Sequence, residues 1–238
     1  MTWSIIARDP ATGQFGIAVA TRMFAVGALV PHVKSRLGAI ATQALVNRFY
    51  GAAGLRILEQ DGSAGDVVSA ATGADAGRDH RQLHVIDSRG RVAAHTGRAC
   101  IGWCGHLAGD NISVAGNMLA GARVIEDTAA AYESHAGLAF PRRLITALRA
   151  GEAAGGDKRG RQSAALLICG DEEWPDLDLR VDDAADPLAE LERLERVSRE
   201  RFVPFMRFLP TRHDRVGLTD RGIIESEIAK AVAAEGSS

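Results

Sequence analysis

Thr2 follows Met1 directly and opens the apolar run Thr2-Trp3-Ser4-Ile5-Ile6-Ala7. If Met1 is removed, the chain starts with a threonine whose hydroxyl lies beside its own free α-amine. Such an amine can take the hydroxyl proton as the oxygen attacks a carbonyl, with no histidine required. Its ordinary pKa of about 7.7–8.0 already lies near working pH. On sequence alone Thr2 is equally the ordinary residue that follows an initiator, and the rest of the chain must decide.

Other residues can act with it. Asp9-Pro10-Ala11-Thr12-Gly13 has the composition of a tight turn, so the segments on either side form a hairpin that brings Thr21 and Arg22 opposite Thr2. An arginine there lowers the pKa of a neighbouring amine or grips an anionic substrate group with two parallel hydrogen bonds. The stretch Gly155-Gly156-Asp157-Lys158-Arg159-Gly160-Arg161-Gln162-Ser163 packs glycines, cations, one acid and hydrogen-bonding groups just ahead of an apolar run. It reads as a pocket rim or a solvated basic loop. A phosphate loop of the Walker type is excluded by its spacing and by the strand that follows.

Asn117 is a lone amide in the apolar segment Ala115-Gly116-Asn117-Met118-Leu119, able to stabilise an oxyanion or to make a structural hydrogen bond. Thr42, Gln43 and His32 are candidate substrate contacts. Cys100-Ile101-Gly102-Trp103-Cys104-Gly105-His106 invites a zinc reading, but the Cys-to-Cys gap is unusual and no fourth ligand is evident, so no metal or other cofactor is expected. Neither a Gly-x-Ser-x-Gly nor a His-Glu-x-x-His motif occurs.

Strands are expected over 2–8, 15–21, 38–43, 82–87, 92–96, 111–119, 163–169 and 177–181, from alternating or continuous apolar patterning. Helices are expected near 52–60, from a Ser63 cap with Asp66 three residues on, around Val124 to Tyr132, after Pro141, and after Asp186-Pro187. Within the first strand, Thr2 and Ser4 face one side and Trp3 and Ile5 the other. Hairpin-linked strands and two separate helix pairs imply an α+β fold, a four-layer αββα sandwich of two mainly antiparallel sheets. The only linker-like stretch is 151–160. A domain over 1–203 is followed by a helical appendage over 204–238, with Ile223, Ile224, Ile228 and Val232 on one face.

The chain has 238 residues, 46% of them hydrophobic and 24% charged, with a formal net charge of −2. That size buries a sizeable core, and the charge points away from nucleic acid and anionic membranes. No apolar run is long enough to span a bilayer and no secretion signal is evident. Three cysteines suggest reduced thiols and a cytoplasmic home. The amphipathic C-terminal segments suggest a homodimer or higher homo-oligomer.

The segments Thr2 to Pro10, Gly16 to Ala20, Ala41 to Ala44, Gly116 to Leu119, Gly155 to Ala165 and Leu179 to Asp183, in that order, resemble the domain of unknown function 1028 family. The resemblance runs from residue 2 to about 195. It implies an N-terminal-nucleophile (Ntn) hydrolase-like fold and an amidohydrolase with Thr2 as nucleophile, acting on C–N bonds. Some relatives add a peptidoglycan-binding domain, which hints at cell-wall amides. No such domain is seen in this sequence, so a small linear amide or ureido compound is expected instead, one bearing a carboxylate. In that scheme Asn117 holds the oxyanion, while Arg22 and the loop Asp157 to Ser163 tune the amine and bind charge. Two rivals are a non-catalytic ligand-binding protein on the same scaffold and a zinc hydrolase built on Cys100, Cys104 and His106.

Overall fold

A computed structural model describes residues 2–235, which form two compact units, one ending at Leu191 and the other starting at Glu192. In the first unit, β1 (Thr2–Arg8), β2 (Phe15–Thr21), β7 (Trp103–Gly109), β8 (Ile112–Leu119), β9 (Ser163–Cys169) and β10 (Leu177–Val181) form a six-stranded sheet in the order β10-β9-β2-β1-β8-β7. A four-stranded sheet follows the order β3 (Pro31–Lys34), β4 (Gly38–Ala44), β5 (Arg81–Asp87), β6 (Val92–Thr96). Every pairing between these strands is antiparallel.

The two sheets stack face to face. Ile6, Phe15, Ile17, Val19, Ala39, Ala41 and Ile86 are buried between them, and this inter-sheet core holds the layers together by excluding water. Helices α1 (Arg48–Glu59) and α2 (Ala64–Gly73) cover the outer face of the small sheet, packing Tyr50, Leu58 and Val67 on Ile40, Leu83 and Val85. Helices α3 (Arg123–Ser134) and α4 (Phe140–Ala153) cover the outer face of the large one. This is the expected four-layer α+β sandwich.

Local chemistry explains the element ends. The Ser63 hydroxyl accepts from the Asp66 amide and the Asp66 carboxylate accepts from the Ser63 amide, a reciprocal cap that starts α2. Pro141 sits in the first turn of α4, where its missing N–H costs nothing. That helix continues through Gly151 and Glu152, so the stretch read as a linker begins later than expected. Gly151 is buried in the helix because a side chain there would run into Thr128 and Trp3.

Two strands had no sequence expectation. β3 is short, and β7 runs through the cysteine-rich segment. In the second unit, α6 (Phe202–Met206) precedes α7 (Arg221–Glu235), with α5 (Pro187–Glu200) spanning the boundary between units. Ile224 and Ile228 of α7 are buried, whereas Ile223 is 50% and Val232 38% exposed, so the four do not share one buried face. Among the described residues no helix is long and apolar enough to cross a membrane.

Candidate active site at the start of the central strand

Thr2 begins β1, a strand paired on both sides. Its partner on β2 is Thr21 and its partner on β8 is Asn117. The Thr2 and Thr21 hydroxyl oxygens lie 3.1 Å apart, and Asn117 Nδ2 lies 3.5 Å from the Thr2 carbonyl oxygen. Thr2 is 8% exposed and Asn117 2%, so both sit at the bottom of the strand ends rather than on the surface. Met1 lies outside the described residues.

The loop after α4 crosses these strand ends. Asp157 bridges to Leu119 on one side, and on the other its carboxylate accepts the Arg22 amide at 2.9 Å, next to Thr21. The same carboxylate accepts the Arg159 amide at 2.8 Å and pairs with the Arg159 guanidinium at 3.2 Å. Asp157 therefore fastens the loop to both strands that flank β1.

Arg161, Gln162 and Ser163 of that loop are committed to the scaffold. Arg161 pairs with Glu152 and Asp186. The Ser163 hydroxyl donates to the Met23 carbonyl and accepts the Val26 amide, fixing the chain that leaves β2. The Gln162 amide nitrogen donates to Asp183, and its backbone N–H donates to the Thr21 carbonyl. Arg22 differs: its side chain is exposed, its contact is with Gln162 Oε1 at 3.5 Å, and among the described residues no carboxylate pairs with it.

Beneath Thr2 the two sheets enclose a chain of polar groups. Gln82 Nε2 lies 2.9 Å from the carbonyl oxygens of Gly105 and Gly116 and from Thr96 Oγ1. Carbonyls only accept, so they fix which end of the Gln82 amide is nitrogen. Gln82 Oε1 must then accept, and it takes Gln43 Nε2 at 2.7 Å and Asn117 Nδ2 at 3.1 Å. Gln43 Oε1 takes the Ser4 hydroxyl at 2.7 Å.

Ser4 Oγ, having given its hydrogen to Gln43, accepts from His84 Nε2 at 2.8 Å. The other ring nitrogen of His84 lies 3.1 Å from Ser113 Oγ. Complete burial, with some repulsion from His106, pushes the His84 pKa down to about 3, so the ring is neutral.

Gln43 thus belongs under Thr2, but two of its companions do not. Thr42 pairs with Leu83, which faces the α1–α2 helices, and its hydroxyl donates to the Asn47 carbonyl. His32 packs its ring against Gly51 of α1, where burial lowers its pKa. The zinc reading also fails: among the described residues no three His, Cys, Asp or Glu side chains converge. His106 Nδ1 lies 2.9 Å from the Thr96 hydroxyl, and Cys104 donates to the Cys100 carbonyl. Cys100 lies before strand β7, while Cys104 and His106 on that strand engage a backbone carbonyl and a hydroxyl rather than a shared centre.

Ser4, Gln82, His84 and Ser113 were not singled out from sequence. Their signal is a polar residue at alternate positions of strands otherwise apolar, as in Gln82-Leu83-His84-Val85. A strand buried on both faces carries such residues only when they bond to one another.

A model of the family of unknown function DUF1028 matches residues 2–191. The chain belongs to the DUF1028 family. Protein SPO2555 from Silicibacter pomeroyi, a DUF1028 crystal structure, is similar at 33% identity over 93% of this chain and 96% of that one, with a TM-score of 0.85. Anbu (ancestral beta-subunit) from Yersinia bercovieri aligns over 92% of this chain and 100% of that one, at 11% identity and a TM-score of 0.38, a likeness too slight to bear on the fold. No curated protein matches the chain.

In this DUF1028 chain, then, the matched region takes in the whole neighbourhood of Thr2. The arrangement offers a hydroxyl at a strand start, a second hydroxyl beside it, a fixed amide on its other flank and an exposed cation at the rim.

Proposed function

We propose that the protein is an N-terminal-nucleophile amidohydrolase that cleaves a small linear amide or ureido bond, with Thr2 as nucleophile once Met1 is removed. The observation that carries this reading is the convergence on Thr2. β2 brings the Thr21 hydroxyl and β8 the Asn117 amide to the first residue of the central strand, the Asp157 loop fastens both flanking strands, and an ordinary strand start needs none of this.

In the proposed reaction Thr2 Oγ1 attacks the substrate carbonyl carbon while the α-amine of Thr2 takes the hydroxyl proton. The carbonyl oxygen becomes an oxyanion. Asn117 Nδ2 already donates to Gln82, and its 3.5 Å contact with the Thr2 carbonyl is long enough to be exchanged for a shorter one to the oxyanion. The ammonium returns its proton to the leaving nitrogen as the C–N bond breaks, which leaves an ester on Thr2. Water, deprotonated by the same amine, hydrolyses that ester and restores the hydroxyl.

Arg22, with no carboxylate paired to it among the described residues, is placed to hold a carboxylate on the substrate. The fixed Asp157 loop keeps that rim in position.

Intact mass of the purified protein tests the first requirement. Loss of one methionine is expected. Amide and ureido substrates are then screened with the Thr2→Ala protein as control, which should be folded and inactive. Full retention of Met1 would leave the proposed base acylated and would favour a ligand-binding role.

A further inference from the structure

Thr2 has two flanks, and they differ in chemistry. On the β2 side stands Arg22. On the β8 side is a pocket of about 170 Å³ reached past Asn117 and Met118 and walled by Leu45, His80, Ala99, Cys100 and Ile101. Its lining is mostly apolar. Two of its residues, Ala44 at φ 69° and Met118 at φ 55°, hold left-handed backbone that non-glycine residues rarely adopt. Such strain persists where surrounding structure enforces it, and here the Met118 amide is held by the Ile101 carbonyl at 3.0 Å.

The polarity of Asn117 within this pocket follows from the buried amide chain. The Gly105 and Gly116 carbonyls orient Gln82, Gln82 Oε1 orients Asn117, and Asn117 must present Nδ2 inward. Its Oδ1 has no donor among the described residues, although the residue is only 2% exposed and lines the pocket. An acceptor that lies at a cavity wall and takes no donor from the protein is open to a donor carried by a ligand.

Building on the hydrolase reading, we infer that this pocket binds a small, largely apolar group of the substrate that carries one N–H or O–H donor, received by Asn117 Oδ1. A dry cavity of about 150 Å³ accepts benzene, so the group has roughly six non-hydrogen atoms or fewer. The substrate straddles Thr2, with its anionic end toward Arg22 and its donor-bearing end in the pocket.

Pyrrole and furan test this directly, being rings of nearly equal size that differ in having or lacking an N–H. Binding is followed by chemical-shift changes at Leu45, Ile101 and Met118 in the whole protein. Pyrrole should bind at least about tenfold more tightly than furan. In Asn117→Leu the two should become equal. Equal binding of both rings to the unaltered protein, or no shift at these residues with either, would overturn the inference whether or not the variant folds. The Thr2→Ala protein should keep the preference for pyrrole. The preference for pyrrole, found together with failure of the unaltered protein, freed of Met1, to turn over any amide, would uphold the pocket chemistry and reject the hydrolase.

Discussion

The Thr21 hydroxyl lies 3.1 Å from the Thr2 hydroxyl, joined across the β1–β2 ladder by residues 19 apart in sequence. A neighbour at that distance can fix the rotamer of a nucleophile and accept or donate as its proton moves. Thr21→Val keeps the shape and removes the hydroxyl. It should lower kcat by roughly 10- to 100-fold with KM little changed, whereas Thr2→Ser should retain measurable turnover and Thr2→Ala none. Steady-state kinetics on any substrate found in the screen decides the matter. A Thr21→Val enzyme of full activity would reduce Thr21 to a packing residue.

His84 makes stability depend on pH in a specific window. Its folded pKa, about 3, lies below the ordinary value of 6.5, so the unfolded chain binds the extra proton first. The stabilisation from keeping the ring neutral is complete above about pH 6.5 and is lost as pH falls toward about 3, at roughly 1.4 kcal/mol per unit within that window. His84→Gln lacks the ring. Urea unfolding of the two proteins at pH 7 and pH 4.5 should show the gap between them changing with pH. A constant gap would mean that His84 does not titrate on unfolding.

Asp157 should matter more for stability than for charge. Its carboxylate satisfies two backbone N–H groups, of Arg22 and Arg159, and its side chain has no exposure. Asp157→Ala leaves both donors without this acceptor and should cost about 2–3 kcal/mol. Asp157→Asn keeps an acceptor and should cost less than half as much. The two urea midpoints, compared with the unaltered protein, give the ranking, and equal losses would contradict it.

Arg22 should do the opposite. Because its side chain is exposed and pairs with no carboxylate among the described residues, Arg22→Ala should leave the thermal midpoint within about a degree or two of the original. On a carboxylate-bearing amide it should raise KM by roughly tenfold or more, with a smaller effect on the matching neutral amide. An identical KM change on both amides would assign Arg22 to shape rather than charge.

The strands were legible in sequence because most are either strictly alternating or continuously apolar. The β1–β2 register that sets Thr21 opposite Thr2 followed from the length of its turn. β3 is not legible because four residues carry too little pattern, nor β7 because its two glycines and mixed Cys and His break the apolar alternation. The misplacement of His32 and Thr42 has one cause. Alternation says that a residue's two neighbours face the other side, but not which side of a sheet buried on both faces holds helices. Gly51, whose missing side chain makes room for the His32 ring, settles that only in three dimensions. Gln82 and His84 escaped notice because their worth lies in one another.

β1 is central in the six-stranded sheet, yet it is the first strand made. During synthesis the β1–β2 hairpin can close as soon as Thr21 has emerged, but β8 is translated about 100 residues later and β9 later still, a delay on the order of 5–20 s at common elongation rates. Until then the hairpin offers two unpaired edges and buried-type faces to its surroundings, which is the condition that recruits chaperones or invites association. A ribosome paused between codons 22 and 112 would hold the nascent protein in that state. Slow codons in this interval should reduce soluble yield more than slow codons placed after codon 170.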